Sequence, residues 1–304
     1  MPSAPDLVPR PAMHSIFLDS AGHVRPLFRA LLFVALAYVF LSPVQTTVGA
    51  LTRGLPQRWF LPLVYVALNA VLLCLTWLFL RALDQRGFRA LGLWVGPGWG
   101  RELAAGAGIG AALAALVVGG IVVLHGIRYS GLAAANASIA LGILRVGGLL
   151  FLAAAYEEIL FRGYAFQRLV DALGSWGAVL VVSALFGVSH LRNPAVTPLS
   201  TANTVLAGML FSVAYLKTRA LWLPIGLHWA WNFLLGPVLS LRVSGFQFGR
   251  PLFQTAIVGP VWLSGGAYGP EGSAVMTVVG VAAVVWLACT RRISPSPAAK
   301  EALE

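Results

Sequence analysis

The chain has 304 residues, of which 59% are hydrophobic and only 10% are charged, and its mean hydropathy is +0.83. A soluble globular domain carries about 25% charged residues, so this composition excludes an ordinary soluble protein. The apolar runs are continuous, whereas a transmembrane barrel would show strands of about ten residues with alternating polarity. We therefore predict an all-α, polytopic membrane protein that has the lipid bilayer as its first partner.

The formal net charge is +11, because basic residues outnumber acidic ones. The basic residues stand between the apolar runs and do not cluster in a soluble segment, so the sequence predicts no nucleic-acid binding. The two cysteines, Cys74 and Cys289, both lie inside apolar runs. They indicate neither a disulfide framework nor a zinc ribbon.

Eight apolar runs are predicted to be membrane spans, although the fifth and the seventh are short for a full crossing. The fourth begins near Ile139, and the others lie at about 27–51, 60–80, 103–124, 177–190, 199–216, 221–235 and 273–289. The first run is too long for the core of a signal peptide and is predicted to stay uncleaved. Residues 126–138 are expected to form a polar loop. The stretch 252–263 is expected to be a re-entrant or interfacial piece, because Pro260 interrupts it.

An even number of spans places both termini on the same side of the membrane. Of the 21 basic residues, 14 fall on the side of the termini, 6 fall on the other side, and Arg145 lies within a span. Cytoplasmic loops carry the excess of Lys and Arg, so both termini are predicted to be cytoplasmic. In the third span, the spacing of Gly106 and Gly110 would allow a close helix contact.

The segment 156–162, Tyr-Glu-Glu-Ile-Leu-Phe-Arg, places two carboxylates and a guanidinium at the end of the fourth run. Ionisable groups at membrane depth are costly and indicate a functional site by default. On a helix, Glu158 and Arg162 are four residues apart in the favoured orientation for an ion pair, and Glu157 lies about 100° around the helix from Glu158. The alternative is a helix that ends at the water interface with all three side chains solvated.

Two of the five histidines, His190 and His228, lie in or at the end of apolar helices. His228 and Asn232 are four residues apart and therefore share one helical face. Each histidine alone could be a hydrogen-bond partner in helix packing. A fold that buries both of them with Asn232 and the two glutamates must satisfy all of these groups together.

Such a set of side chains can hydrolyse a peptide bond in two ways. A glutamate can act as the general base on water while a histidine assists it, and an asparagine amide and a histidine can donate hydrogen bonds to the oxyanion. Two histidines and a carboxylate can instead hold zinc and leave a position for water. The sequence has no pair of histidines flanking a glutamate on one helix, no Gly-x-Ser-x-Gly elbow and no Gly-rich phosphate loop.

The order of these motifs resembles the CPBP family of CAAX-processing and bacteriocin-processing intramembrane proteases, also called Abi, which includes the type II CAAX prenyl endopeptidases. The resemblance covers about residues 140–240. It is carried by Glu157-Glu158-x-x-x-Arg162, Phe186-x-x-x-His190 with Asn193-Pro194 just after it, and His228-x-x-x-Asn232 with Leu221-Trp222-x-Pro224 just before it.

The resemblance implies an eight-helix endopeptidase with its active site in a cavity in the membrane. It implies that Glu157 activates water with the help of His190, and that His228 and Asn232 form the oxyanion hole. Glu158 and Arg162 are implied to be supporting residues. The apolar runs, the charge count and the resemblance together predict a cytoplasmic segment 1–26, helices one to three in 27–138, the catalytic helices in 139–240, a long loop and the eighth helix in 241–290, and a cytoplasmic tail 291–304.

The expected substrate is a membrane-associated peptide or protein, and nothing in the sequence points to a prenyl group. The glutamate mechanism needs no cofactor and no metal ligand, and zinc stays open as the alternative. A non-catalytic immunity or binding protein on the same scaffold is the second reading, and a transporter with Glu157 in a proton relay is the third. The Ala-, Gly-, Leu- and Arg-rich composition is compatible with a bacterial inner membrane. The oligomeric state stays open.

Overall fold

The computed structural model describes residues 14–133, 136–297 and 299. Arg10 and Lys300, which enter the predicted charge asymmetry, lie outside these residues, as do residues 1–13 of the predicted N-terminal segment. The helices are α1 His14–Phe17, α2 Pro26–Leu41, α3 Val44–Leu51, α4 Phe60–Ala82, α5 Trp99–Val123, α6 Ala137–Arg162, α7 Tyr164–Ser189, α8 Pro198–Thr218, α9 Trp222–Phe233, α10 Val261–Ser264 and α11 Ala274–Cys289. The strands are β1 Ile127–Leu132 and β2 Phe253–Ile257.

Each of the eight apolar runs forms a helix, and the chain is an integral membrane protein. Within the described residues, five helical stretches are long and apolar enough to cross a membrane, namely Pro26–Leu51, Gln57–Ala82, Trp99–Val123, Ala137–Ser189 and Pro198–Thr218. One of these joins α6 and α7, which the sequence treats as two spans, and α9 and α11 are shorter than a full crossing. The number eight therefore stays a prediction.

The prediction of an all-α protein is wrong in one detail, because β1 and β2 form a two-stranded antiparallel sheet. It replaces part of the predicted polar loop at 126–138 and part of the predicted re-entrant piece at 252–263. Both strands contain β-branched or aromatic residues, but each is short and its partner is distant in the chain. Neither segment therefore shows a strand pattern strong enough to be recognised alone.

Helix α9, which carries His228, lies in a groove of α5 formed by Gly106 and Gly110. A Cβ atom at either glycine would run into backbone carbonyl groups of α9, and a Cβ atom at Gly226 would run into the backbone of α5. The glycine spacing thus brings the two backbones together, as the sequence suggested. This contact fixes the position of one of the helices that build the site.

Helix α7 bends at Gly174, whose backbone is not helical (φ 73°, ψ 168°). The residues before the bend pack beside α2 and α4, where the ring of Tyr164 lies 5.1 Å from that of Phe33 and 5.2 Å from that of Phe79. The residues after the bend run back toward the acid pair and end at His190. The predicted fifth span, 177–190, corresponds to this second part.

Candidate active site

The acid pair lies in the last two turns of α6, and its members have different surroundings. The side chain of Glu158 has no exposed surface, whereas 26% of the Glu157 side chain is exposed. The predicted ion pair is present, with 3.3 Å between Arg162 Nη1 and Glu158 Oε1. The solvated helix end that the sequence left open is therefore excluded for Glu158 and Arg162.

The guanidinium of Arg162 is held on all sides. Its Nη2 donates to the carbonyl oxygen of Gly208 at 2.9 Å, and its Nε donates to Ser212 Oγ at 3.4 Å. The carbon between the guanidinium nitrogens lies 4.6 Å from the ring centroid of Phe186 and 5.2 Å from that of Phe211. An arginine with a fixed set of donors and two aromatic neighbours can keep its charge in a buried position.

His228 lies between the two glutamates. Its Nδ1 is 2.8 Å from Glu158 Oε1, and its Nε2 is 4.0 Å from Glu157 Oε2. The imidazole stacks on Phe211 with 4.7 Å between ring centroids, which fixes the plane of the ring. Because the Glu158 carboxylate accepts this hydrogen bond, Nδ1 carries a proton and Nε2 faces Glu157.

His190 follows the last residue of α7 and approaches Glu157 from another side. Its Nε2 lies 3.9 Å from Glu157 Oε2, and its Nδ1 donates to the carbonyl oxygen of Phe186 at 2.8 Å. That bond assigns the proton of the neutral ring to Nδ1, so the lone pair of Nε2 points toward the carboxylate. At 3.9 and 4.0 Å, the contacts of Glu157 with the two rings are too long to be direct hydrogen bonds and leave room for a bridging water.

Glu157, His190, His228 and Asn232 all line one cavity of about 520 Å³. Among the residues that the structure describes, Glu157 Oε2 has no hydrogen-bond partner although it is buried. Asp84, Glu102 and Glu158 also have buried carboxylate oxygens without a partner, but of these side chains only that of Glu157 lines the cavity, where a ligand or a reacting molecule can pair with it. The structure thus brings together all four residues that the sequence assigned to catalysis and packs the two supporting residues behind them.

Glu271, which was not predicted from the sequence, lines the same cavity. One of its oxygens accepts a hydrogen bond from Trp231 Nε1 at 3.0 Å, and the other accepts from the backbone N–H and the hydroxyl of Ser244. Its backbone carbonyl accepts from Asn203 Nδ2 at 2.8 Å. The segment 236–272, whose role was open, therefore forms part of the cavity wall. An acidic residue in an otherwise Gly- and Pro-rich stretch was the available signal.

Tyr268 contacts a residue of the cavity wall, since its hydroxyl lies 3.4 Å from Thr204 Oγ1. Burial raises the pKa of Tyr268 above its ordinary value, and the nearby Glu271 carboxylate adds to the shift. The phenol therefore keeps its proton at neutral pH and serves as a neutral donor.

The two histidines and Glu157 are ligand types that zinc accepts. In the described ranges 14–133, 136–297 and 299, no group of three or more His, Cys, Asp or Glu side chains has an arrangement that could hold a metal ion.

Residues 139–234 match the family model of the Type II CAAX prenyl endopeptidase Rce1-like proteins. The match covers less than half of the chain, from the first turn of α6 to just beyond α9, and contains the acid pair, both histidines and Asn232. No curated protein and no solved structure matched the chain. The family match indicates an intramembrane protease of the CAAX type. The resemblance drawn from the motifs is thus confirmed, in that residues 139–234 match the Rce1-like family of type II CAAX prenyl endopeptidases.

Proposed function

We propose that the protein is an intramembrane endopeptidase that hydrolyses peptide bonds with a water activated by Glu157. The observation that carries this proposal is the position of Glu157 Oε2, which is buried at 3.9 Å from His190 Nε2 and 4.0 Å from His228 Nε2. A carboxylate oxygen facing two imidazole nitrogens is a suitable site for a water that gives up a proton.

In this mechanism Glu157 takes a proton from the water, and the water oxygen forms a bond to the carbonyl carbon of the substrate. His190 Nε2 accepts a hydrogen bond from the other O–H of the water, because its Nδ1–H is engaged with Phe186. When the C–N bond breaks, the proton held by Glu157 passes through His190 to the leaving amine.

The oxyanion of the tetrahedral intermediate needs hydrogen-bond donors, and we assign this role to His228 and Asn232. His228 Nδ1 already donates to Glu158, so only a doubly protonated ring has an N–H at Nε2 to offer. Glu157, Glu158 and Arg162 together carry one net negative charge, and an imidazolium at His228 makes the cluster neutral. Charge balance in a buried cluster therefore favours the form that can donate.

Glu158 and Arg162 act through His228 in this account. Glu158 orients the ring and compensates its charge, and Arg162 holds Glu158 by a contact of 3.3 Å inside the protein. They are positioning residues, since neither Glu158 nor Arg162 lines the cavity.

A zinc-dependent version of the same protease is the second candidate, because His190, His228 and Glu157 are ligand types that zinc accepts, although the described residues are not arranged to hold a metal ion. Purified wild type in detergent is incubated with a pooled library of membrane-anchored and prenylated peptides, with and without 1,10-phenanthroline. We expect cleavage of a subset of peptides at equal rates in both conditions. Loss of cleavage with the chelator and recovery with added zinc would replace the glutamate mechanism by the metal mechanism.

The same assay separates the protease from a non-catalytic binding protein. A folded, monodisperse wild type that cleaves no peptide of the library would contradict the protease assignment. Asp171→Asn is the matched control, because Asp171 is an exposed acidic residue outside the cavity. This variant is expected to cleave like wild type.

A further inference from the structure

One end of the molecule, here called the terminus end, holds the chain segments that lead to both termini. Arg29 near the start of α2 and Arg168 of α7 both contact Asp84, at 2.5 and 2.9 Å. At the same end Trp222 Nε1 donates to the carbonyl oxygen of Trp94 at 2.8 Å, and Lys217 Nζ donates to that of Thr290 at 2.5 Å. These contacts show that the ends of α4, α8 and α11 lie at the same end of the molecule as the starts of α2 and α9.

The other end, here called the far end, holds the sheet and the segment after α9. Asn203 near the start of α8 donates to the carbonyl oxygen of Ser273, just before α11, at 2.8 Å. Tyr129 of β1 donates to that of Leu239, beyond α9, at 3.1 Å. The far end therefore contains the starts of α8 and α11 and the chain that follows α5 and α9.

The cavity reaches the far end and not the terminus end. Its wall includes Asn193, Ser244, Phe248 and Glu271, all from far-end segments, but no described residue from 81–101, 162–185, 212–226 or 281–299. A substrate that reaches Glu157 through this cavity therefore comes from the far end.

The exposed residues of the cavity wall mark its mouth. Only Leu61, Ser189 and Phe246 among the wall residues are exposed, and Leu61 and Phe246 are 48% and 47% exposed. Leu61 is at the start of α4, Ser189 is at the end of α7, and Phe246 follows α9. All three positions belong to the far end, and two of the three side chains are large and apolar.

The basic residues are unevenly divided between the two ends. Eleven described Lys and Arg residues belong to the terminus end: Arg25, Arg29, Arg81, Arg86, Arg89, Arg101, Arg168, Lys217, Arg219, Arg291 and Arg292. Six belong to the far end: Arg53, Arg58, Arg128, Arg192, Arg242 and Arg250. Arg162 was counted with the first group from the sequence, but its side chain has no exposed surface and is paired with Glu158 inside the protein, so it is left out here. The excess of basic residues orients the terminus end toward the cytoplasm.

The charged side chains of the cavity wall add up to a net negative charge. Glu157 and Glu271 line the cavity, the His228 imidazolium balances one of them, and no described Lys or Arg lies in the wall. Most of the other wall residues are apolar, among them Leu149, Leu150 and Met276. An acidic substrate segment would bring like charges together in a partly buried space, which costs several kcal/mol.

We infer that the site takes uncharged or basic apolar chain segments that are presented at the non-cytoplasmic face of the membrane. The substrate part of this inference rests on the proposed protease function. The side of the membrane from which the substrate enters is inferred from the position of the cavity and from the distribution of the basic residues. On this inference, the natural substrates are exported peptides or membrane peptides that face outward.

Labelling of single cysteines tests the direction without any cleavage assay. Cys74 and Cys289 are replaced by Ser, and Phe246→Cys, Gln247→Cys or Arg86→Cys is introduced. Sealed right-side-out and inverted vesicles are treated with a membrane-impermeant maleimide. We expect the cysteines at 246 and 247 to react only in right-side-out vesicles and the cysteine at 86 only in inverted vesicles. The reverse pattern would overturn the inference.

Cleavage in the same vesicles tests the substrate. The probe is a fluorogenic pool of apolar peptides with a membrane-impermeant tag, in matched sets that carry Lys, Gln or Glu near the scissile bond. Right-side-out vesicles are expected to cleave the Lys and Gln sets at least about tenfold faster than the Glu set, and inverted vesicles to cleave only after detergent is added. Cleavage by intact inverted vesicles, or equal rates for all three sets, would overturn the inference while the protease assignment stands. No cleavage even in detergent would overturn the protease assignment and the substrate with it.

Discussion

Glu157 and Glu158 face opposite nitrogen atoms of one imidazole, that of His228. Glu158 Oε1 lies 2.8 Å from Nδ1, and Glu157 Oε2 lies 4.0 Å from Nε2. Neighbouring residues on a helix point about 100° apart, so the same dipeptide can supply one carboxylate to the interior and one to the cavity. The two glutamates are therefore expected to have different roles and to respond differently to substitution.

Glu158→Gln tests the positioning role. The amide can still accept a hydrogen bond from His228, but it cannot balance a charged ring. We expect kcat to fall by roughly 10²- to 10⁴-fold with little change in KM, since the loss falls on the transition state. A variant that changes KM and leaves kcat intact would show that Glu158 acts on substrate binding.

Arg162→Ala tests the buried ion pair. It leaves the Glu158 carboxylate without its cation in the interior, so the free energy of unfolding should fall by roughly 3–5 kcal/mol. The control is Arg145→Ala, an exposed basic residue on the same helix, which should change stability by at most about 0.5 kcal/mol. Thermal unfolding in detergent, followed by size-exclusion chromatography, measures both, and equal stability of the two variants would contradict a structural ion pair.

The glycines of α5 offer a matched pair with opposite expected effects. Gly110→Ala places a Cβ against the backbone of α9 and should destabilise the protein by about 1–3 kcal/mol. Gly108→Ala projects into open space on the same helix and should be neutral or stabilising by up to about 1 kcal/mol. If both variants unfold at the wild-type temperature, the close contact of α5 with α9 is not what positions His228.

Glu271→Ala tests the wall of the cavity. It removes the acceptor of Trp231 and of Ser244, and each donor left unpaired costs about 1–3 kcal/mol. We expect faster limited proteolysis in residues 239–252 and a rise in KM. Ser130→Ala, in the exposed part of β1, is the control and should behave like wild type. Unchanged proteolysis of the Glu271 variant would show that the segment is held by other contacts.

Part of the site was predictable from the sequence because it depends only on the spacing of residues along a helix. The contacts of Glu158 with Arg162 and the shared face of His228 and Asn232 follow from helical geometry, so residue identity and spacing suffice. The close approach of α5 and α9 follows from Gly106 and Gly110, although many such pairs in an Ala- and Gly-rich chain have no partner.

The other features of the site and the fold were not predictable from the sequence, because they depend on tertiary structure. The bond between Trp231 and Glu271 joins residues that no helical or strand period relates, and the pairing of β1 with β2 joins two short strands that are distant in the chain. The fifth span is predicted to begin at 177, just after the bend at Gly174, but the pattern does not indicate that the residues from Tyr164 to the bend are helical too. The bond of Glu271 and the strand β2 lie in the long segment after α9, where periodicity carries little information.

The central claim is that Glu157 is the general base, and the cleavage rate of Glu157→Gln tests it most directly. Gln keeps the size of the side chain but cannot take the proton of water, so we predict that cleavage falls by at least about 10³-fold while thermal stability stays at the wild-type value. Asp171→Asn, measured beside it, should cleave at the wild-type rate. Turnover by Glu157→Gln near the wild-type rate would contradict the account.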